Sequence, residues 1–219
     1  SSFYSLSKLG DGYQDIVEAP IRIPAVSSVD VLDETGDGLQ DLEIETLINN
    51  STEGGPSRMK RLIYSAKSGT LAFVRAKSTP THWLILALAD ANSAFEKKDD
   101  ATAIALYERV LTDSSLKEWI TGESAELIAL ARIRRSLALA RIGQTLPAIA
   151  SAQAATSGTG LIAQASLAFL NAFVQNGELT SGCAAFNVAF RLYQEEWKTF
   201  WGKYQGSIPQ LRANDICPF

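Results

Sequence analysis

Near Pro80 the apolar residues change their period, and this change constrains the fold more than any single motif does. Before it, Leu42-Glu43-Ile44-Glu45 alternates, and two runs, residues 59–66 and 71–76, flank Ser68-Gly69 as the arms of a hairpin would. A period of two places successive side chains on opposite faces of a strand. After Pro80, Ala, Leu and Ile recur at helical spacing, interrupted at Asp99-Asp100, Thr121-Gly122, Gly143, residues 158–160 and Asn176-Gly177. That spacing predicts about six helices. The chain therefore reads as α+β, with a small antiparallel β segment over residues 1–79 and a helical domain of helix pairs with a C-terminal tail over 80–219.

Length and charge narrow the partners. A chain of 219 residues buries enough apolar surface to fold without staples, and 24 acidic against 20 basic residues leave no basic face to neutralise a phosphate backbone. Nucleic acid is not an expected partner. The apolar run that starts at Trp83 ends at Asp90, well short of the roughly 18 to 20 residues that cross a bilayer, so no membrane span is expected. The first residues, Ser1-Ser2, carry neither an initiator Met nor a signal peptide, which reads as a processed chain.

The two cysteines, Cys183 and Cys217, form no CxxC pair, and a single His gives no zinc cluster. They read either as a disulfide tying the tail to the last helix or as two free buried thiols. A disulfide places the chain outside the cytosol.

The helical half repeats itself. Superposing Gly143 on Gly177, 34 residues on, brings Ala155 onto Ala189 and Ala148 onto Gly182. A 34-residue period is that of the tetratricopeptide repeat. Residues 87–115 resemble one such unit, with Ala91 at a close-approach position, Phe95 on the first helix, Asp99 in the turn, Ala103 at the small position of the second helix and Tyr107 at its aromatic one. The resemblance implies paired helices that approach closely at the small residues while the aromatics fill the groove between them. Val110 and Ser115 depart from the pattern. Ala103 and Ala148 lie 45 residues apart, so about 11 extra residues near 116–123 separate the first unit from the second. Three pairs, about the smallest stable stack, are expected. Beyond them, Trp197, Phe200 and Trp201 either cap the open end of the stack or offer an aromatic contact surface.

The front half carries one pattern twice, GDGYQDI at 10–16 and GDGLQDL at 36–42. Around the second copy, Asp33, Thr35, Asp37, the carbonyl of Leu39 and Asp41 stand at alternating positions that supply oxygen ligands to a hard cation, with Gly38 at the sharp turn. Ile44 stands where an EF-hand needs a bidentate Glu, and a strand follows, which excludes that fold. The remaining pattern resembles the calcium loops of FG-GAP repeats, and the resemblance implies Ca2+ as a cofactor. The alternative is a metal-free turn in which Asp side chains cap backbone amides. The first copy has Ser7 and Leu9 at the leading positions and reads as a metal-free turn of the same shape, with Gly12 supplying backbone freedom. Neither copy has the spacing or the Lys of a phosphate loop.

A GDG-type loop, a hairpin and then irregular tetratricopeptide helices make the chain similar to secreted or surface-attached bacterial proteins of that composition. The resemblance implies an extracellular or cell-surface scaffold and carries over no catalytic residue. The β segment is too short for a propeller, so its edge strands must be paired, covered or offered to another molecule. Phe3, Tyr4 and Leu6, in a stretch with no evident partner in the chain, are candidates for strand addition to a second copy, which would propagate as a filament. Intramolecular pairing is the alternative. Asn49 and Asn50 begin overlapping glycosylation acceptors.

No nucleophile, base and oxyanion set emerges, so no enzyme and no small-molecule substrate are expected. Glu43 and Glu45 share one face of a strand and read as a solvated face. His82 reads as a packed or capping residue. Arg132, Arg134, Arg135 and Arg141 cluster on one helix and also read as solvated rather than as a carboxylate clamp. The expected function is a non-enzymatic extracellular scaffold that binds protein partners or copies of itself. A monomeric tetratricopeptide adaptor holding a peptide, and an accessory domain of a larger secreted enzyme, are the alternatives.

Overall fold

The computed structural model describes residues 2–3, 6–9, 12–15, 21–23, 26–48, 55–65, 71–158, 160–204 and 208–219. The chain divides into two compact units, 1–80 and 81–219. The layout is α+β, with an antiparallel sheet followed by helices.

In the first unit, β1 (Ser2–Phe3) pairs antiparallel with β4 (Ile21–Arg22), and β2 (Leu6–Leu9) pairs with β3 (Gly12–Asp15). The main sheet is a meander of β5 (Val26–Leu32), β6 (Asp41–Ile48), β7 (Arg58–Ser65) and β8 (Ala72–Ser78) in sequence order. Each strand pairs with the next by a short connection, the arrangement antiparallel pairing permits. Ile44 and Ile63 are buried, as is Ile23. The edge strand β8 is exposed along its whole length.

The strand pairs bear on two sequence readings. The stretch holding Phe3 and Leu6 has partners in the chain, since Phe3 pairs with Ile21 and Leu6 with Asp15. Tyr4 lies outside the described residues. The last glycines of the two GDG copies also differ: Gly12 begins a strand and pairs with Leu9, whereas Gly38 sits in the 33–40 loop at a φ of +81°, where a side chain would be strained.

The second unit stacks helical hairpins. The helices are α1 (Leu84–Glu96), α2 (Asp100–Thr112), α3 (Ser124–Arg141), α4 (Thr145–Ala155), α5 (Leu161–Asn176), α6 (Leu179–Phe190), α7 (Gln194–Gly202) and the single turn α8 (Ala213–Ile216). Consecutive helices from α1 to α6 pack on one another, and the first helices of the hairpins also stack, α1 on α3 and α3 on α5. The internal repeat is written in the backbone. Lys98, Gly143 and Gly177, spaced 45 and then 34 residues apart, adopt φ values of 61°, 78° and 72° at the end of each first helix. The small residues follow the same offsets. Ala103, Ala148 and Gly182 are all buried on the second helices, and a Cβ on Gly182 would lie 2.7 Å from the Phe169 ring. Close approach of α5 and α6 therefore depends on having no side chain there.

The first hairpin places its motif residues as the packing argument requires. Ala91, Phe95, Ala103 and Tyr107 are buried, and Asp99 caps α2 by accepting from the Thr102 amide at 3.2 Å. Tyr107 donates its hydroxyl to Asn92 Oδ1 at 2.8 Å, which satisfies both buried groups. The residues inserted at 116–123 close as a capped loop: Glu123, itself buried, accepts from the amides of Trp119 and Ile120 and from the Tyr204 hydroxyl at 2.7 Å.

Candidate functional site

The 33–41 loop owes its form to carboxylates. Asp33 accepts from the amides of Gly36, Asp37 and Gly38, Asp37 from that of Leu39, and Asp41 from that of Thr35. These are the bonds of Asp-capped turns, in which a short side chain replaces missing backbone partners. Leu39 is exposed. Among the described residues, no three His, Cys, Asp or Glu side chains converge to hold a metal.

Three oxygens are buried together at the end of the loop, Asp41 Oδ1, Thr35 Oγ1 and, on the strand paired with Asp41, Ser65 Oγ, with the two hydroxyls set against the carboxylate. Burial pushes the Asp41 carboxyl up; the hydroxyls of Ser65 and Thr35 and the amides of Thr35 and Glu34 outweigh it and hold the group below its ordinary value. Oxygen donors alone, one of them an ionised carboxylate, suit a hard cation.

The arginines of α3 do not form the solvated face their spacing implied. Arg134 is 1% exposed, lies 4.5 Å from the Phe95 ring centroid, and donates to the Asp215 carbonyl at 2.6 Å. Arg141 covers the same ring at 4.0 Å and pairs with Asp100. Arg132 donates to the Ala154 carbonyl at 2.9 Å, and Arg135 meets Glu108 at 2.7 Å. The seven-residue spacing of Arg134 and Arg141 put them on one face; burial of that face was not readable from α3 alone, because the segment that covers it arrives 81 residues later in the chain.

That segment is 208–219. Cys217 is disulfide-bonded to Cys183 of α6. Trp197 and Trp201 donate their indole N–H groups to the carbonyls of Leu211, at 2.7 Å, and Ile208, at 3.3 Å. Both indoles are buried, so the aromatic group of α7 caps the stack and is not a free contact surface.

The remaining sequence candidates sit as follows. Glu43 is buried and Glu45 half-buried, and both pair with Arg61, at 3.5 and 3.6 Å, so this face is an ion-pair row and not a fully solvated one. His82 is exposed and lies against Trp83, with ring centroids 4.5 Å apart and planes tilted by 46°. Asn49 and Asn50 lie outside the described residues. No helix is long and apolar enough to cross a membrane among the described residues.

Comparison with models of known protein families, with curated proteins and with solved structures finds no match to this chain. The functional reading therefore rests on the geometry.

Proposed function

We propose that this chain is a non-enzymatic scaffold, extracellular or at a cell surface, that binds protein partners or copies of itself through the outer faces of its helical stack. The observation that carries the reading is apolar surface left uncovered. Leu167 and Val174, seven apart on α5, are exposed, as are Val188 near the end of α6 and Leu192 in the 3-10 turn that follows it. Leu146, at the start of α4, is 80% exposed and Leu192 76%. Large aliphatic groups grouped this way on helices whose other faces are buried mark association surfaces. The hairpin stack also supports the tetratricopeptide-like reading, because repeated small residues and repeated left-handed turns recur at the sequence offsets. The disulfide supports a location outside the cytosol.

Self-association through the N-terminal strands is a narrower version. It uses the outer edges of the two-stranded β1–β4 and β2–β3 pairs, since each strand there is paired along one edge only. Sedimentation velocity across a concentration series, on the oxidised chain, tests whether the exposed faces associate.

A second reading concerns the 33–41 loop. Its buried oxygens Asp41 Oδ1 and Thr35 Oγ1 favour a calcium ion as a shared partner, with Asp33, Asp37 and the Leu39 carbonyl as the further ligands. A bound ion would stiffen the β5–β6 connection. Calorimetric titration of calcium into the wild-type chain and Asp41→Asn tests this reading; no heat from either chain removes it.

A further inference from the structure

We propose that the cavity walled by Phe95, Arg134, Arg141 and Phe219 binds a small organic acid, its carboxylate facing the two guanidiniums and its apolar body against Pro218 and Phe219. Segment 208–219 stays in place as one wall. The inference stands whether or not the exposed helical faces associate.

The helix brings two cations to one ring. Arg134 and Arg141, seven apart on α3, both lie over Phe95, with guanidinium carbons 4.5 and 4.0 Å from the ring centroid. Like charges so placed repel, and the repulsion is stronger where water is excluded. The floor of the cavity is dry, since Arg134 and Phe95 are each 1% exposed. Burial above all, with the like charge of Arg141, holds the Arg134 guanidinium below its ordinary value against the opposing pull of Tyr107, Glu96 and Asp215.

The partners present leave that charge poorly met. Arg134 donates to the Asp215 carbonyl and meets the Tyr107 hydroxyl, both neutral groups. Among the described residues, its one carboxylate at ion-pair distance is Glu96, which is 3.8 Å away, beyond hydrogen-bonding range, and whose side chain is 59% exposed. Arg141 pairs with Asp100, yet its Nε is buried without a hydrogen-bond partner. Lys98, exposed on the rim, adds a third cation. A buried cation is stabilised most by an anion at hydrogen-bonding distance.

Size and lining select the anion. The cavity measures about 380 Å³, inside the range of roughly 300 to 1,000 Å³ that small-molecule sites occupy, and far more than an inorganic oxyanion fills. Pro218 and Phe219 are exposed and offer apolar surface that a hydrocarbon body covers and a phosphate ion does not. Glu96 already sets a carboxylate beside Arg134 and is the group an incoming acid displaces.

Calorimetric titration of phenylacetate into the oxidised full chain tests this. Phenylacetamide supplies the same body without charge, and inorganic phosphate the charge without the body. Saturable binding of the acid, about tenfold tighter than either comparator, is the expected result. Equal binding of the amide overturns the charge contact, equal binding of phosphate overturns the apolar one, and no binding of the acid overturns the site. Glu96→Gln removes the competing carboxylate and should tighten binding about two- to fivefold, whereas Lys98→Gln should weaken it by about the same factor. Unchanged affinity in either variant contradicts the placement. Wild type alone gives the location: the Nε–H NMR signals of Arg134 and Arg141 should shift on addition of phenylacetate while those of Arg132 and Arg135 stay. Shifts confined to Arg132 and Arg135, or spread equally over all four, overturn the proposal.

Discussion

Glu126 on α3 caps α5: its carboxylate accepts from the backbone amide of Leu161 at 2.6 Å, and from that of Ile162 at 3.0 Å. A residue of one hairpin thus satisfies the orphan amides that begin the next, and its charge lies at the positive end of the helix dipole. Glu126→Ala should cost about 1 to 2 kcal/mol, measured by urea unfolding, with Glu126→Gln recovering part of the loss. Equal stability of the alanine variant and wild type would show that the contact contributes nothing.

Gly182 tests the packing between α5 and α6. A Cβ there meets the buried Phe169 ring at 2.7 Å, so Gly182→Ala should destabilise by about 1 to 3 kcal/mol even though alanine is the better helix former. Phe169→Leu, which is damaging by itself, should be less damaging in combination. A double-mutant cycle measures that coupling, and simple additivity would contradict the close approach.

The sheet should weaken in acid through Asp41. Its carboxyl titrates below the ordinary 3.8 in the folded chain, so the unfolded chain binds the proton first as pH falls. The stabilisation is present above the ordinary value and is lost as pH drops through the lower folded value. Unfolding of the β unit, followed by the methyl NMR signals of the buried Ile44 and Ile63, should therefore show an extra loss of stability below about pH 4 that Asp41→Asn lacks. Parallel acid profiles for the two chains would remove Asp41 from this role.

Reduction of the disulfide should lower stability by about 4 kcal/mol, from the chain entropy released over a separation of 34 residues. The loss should concentrate in segment 208–219, seen as amide exchange gained at Leu211 and Ile216 before the α3–α4 hairpin opens. Uniform exchange across all helices would contradict a separable segment.

How much of this was legible in the sequence follows from the range of each interaction. Ala103, Ala148 and Gly182 could be found because a small residue at a fixed offset reports a local rule, the approach of paired helices. The Asp33 turn was readable for the same reason, as side chain and amides lie within five residues. Arg134 was misread because a seven-residue spacing gives a face but not what covers it, and its partner Asp215 lies 81 residues away. The insertion at 116–123 was seen only as a gap in the repeat; Glu123 and Tyr204, again 81 residues apart, give it structure. Intramolecular pairing of the Phe3 stretch was one of two open readings, and its partner Ile21 was not readable because two-residue strands carry no period.

Sedimentation velocity on the oxidised wild-type chain and on Val174→Glu/Val188→Glu, from low to high micromolar concentration, tests the central claim most directly. Association through the outer helical faces predicts a sedimentation coefficient that rises with concentration for wild type and stays at the monomer value for the double variant. A concentration-independent monomer for both chains would contradict it.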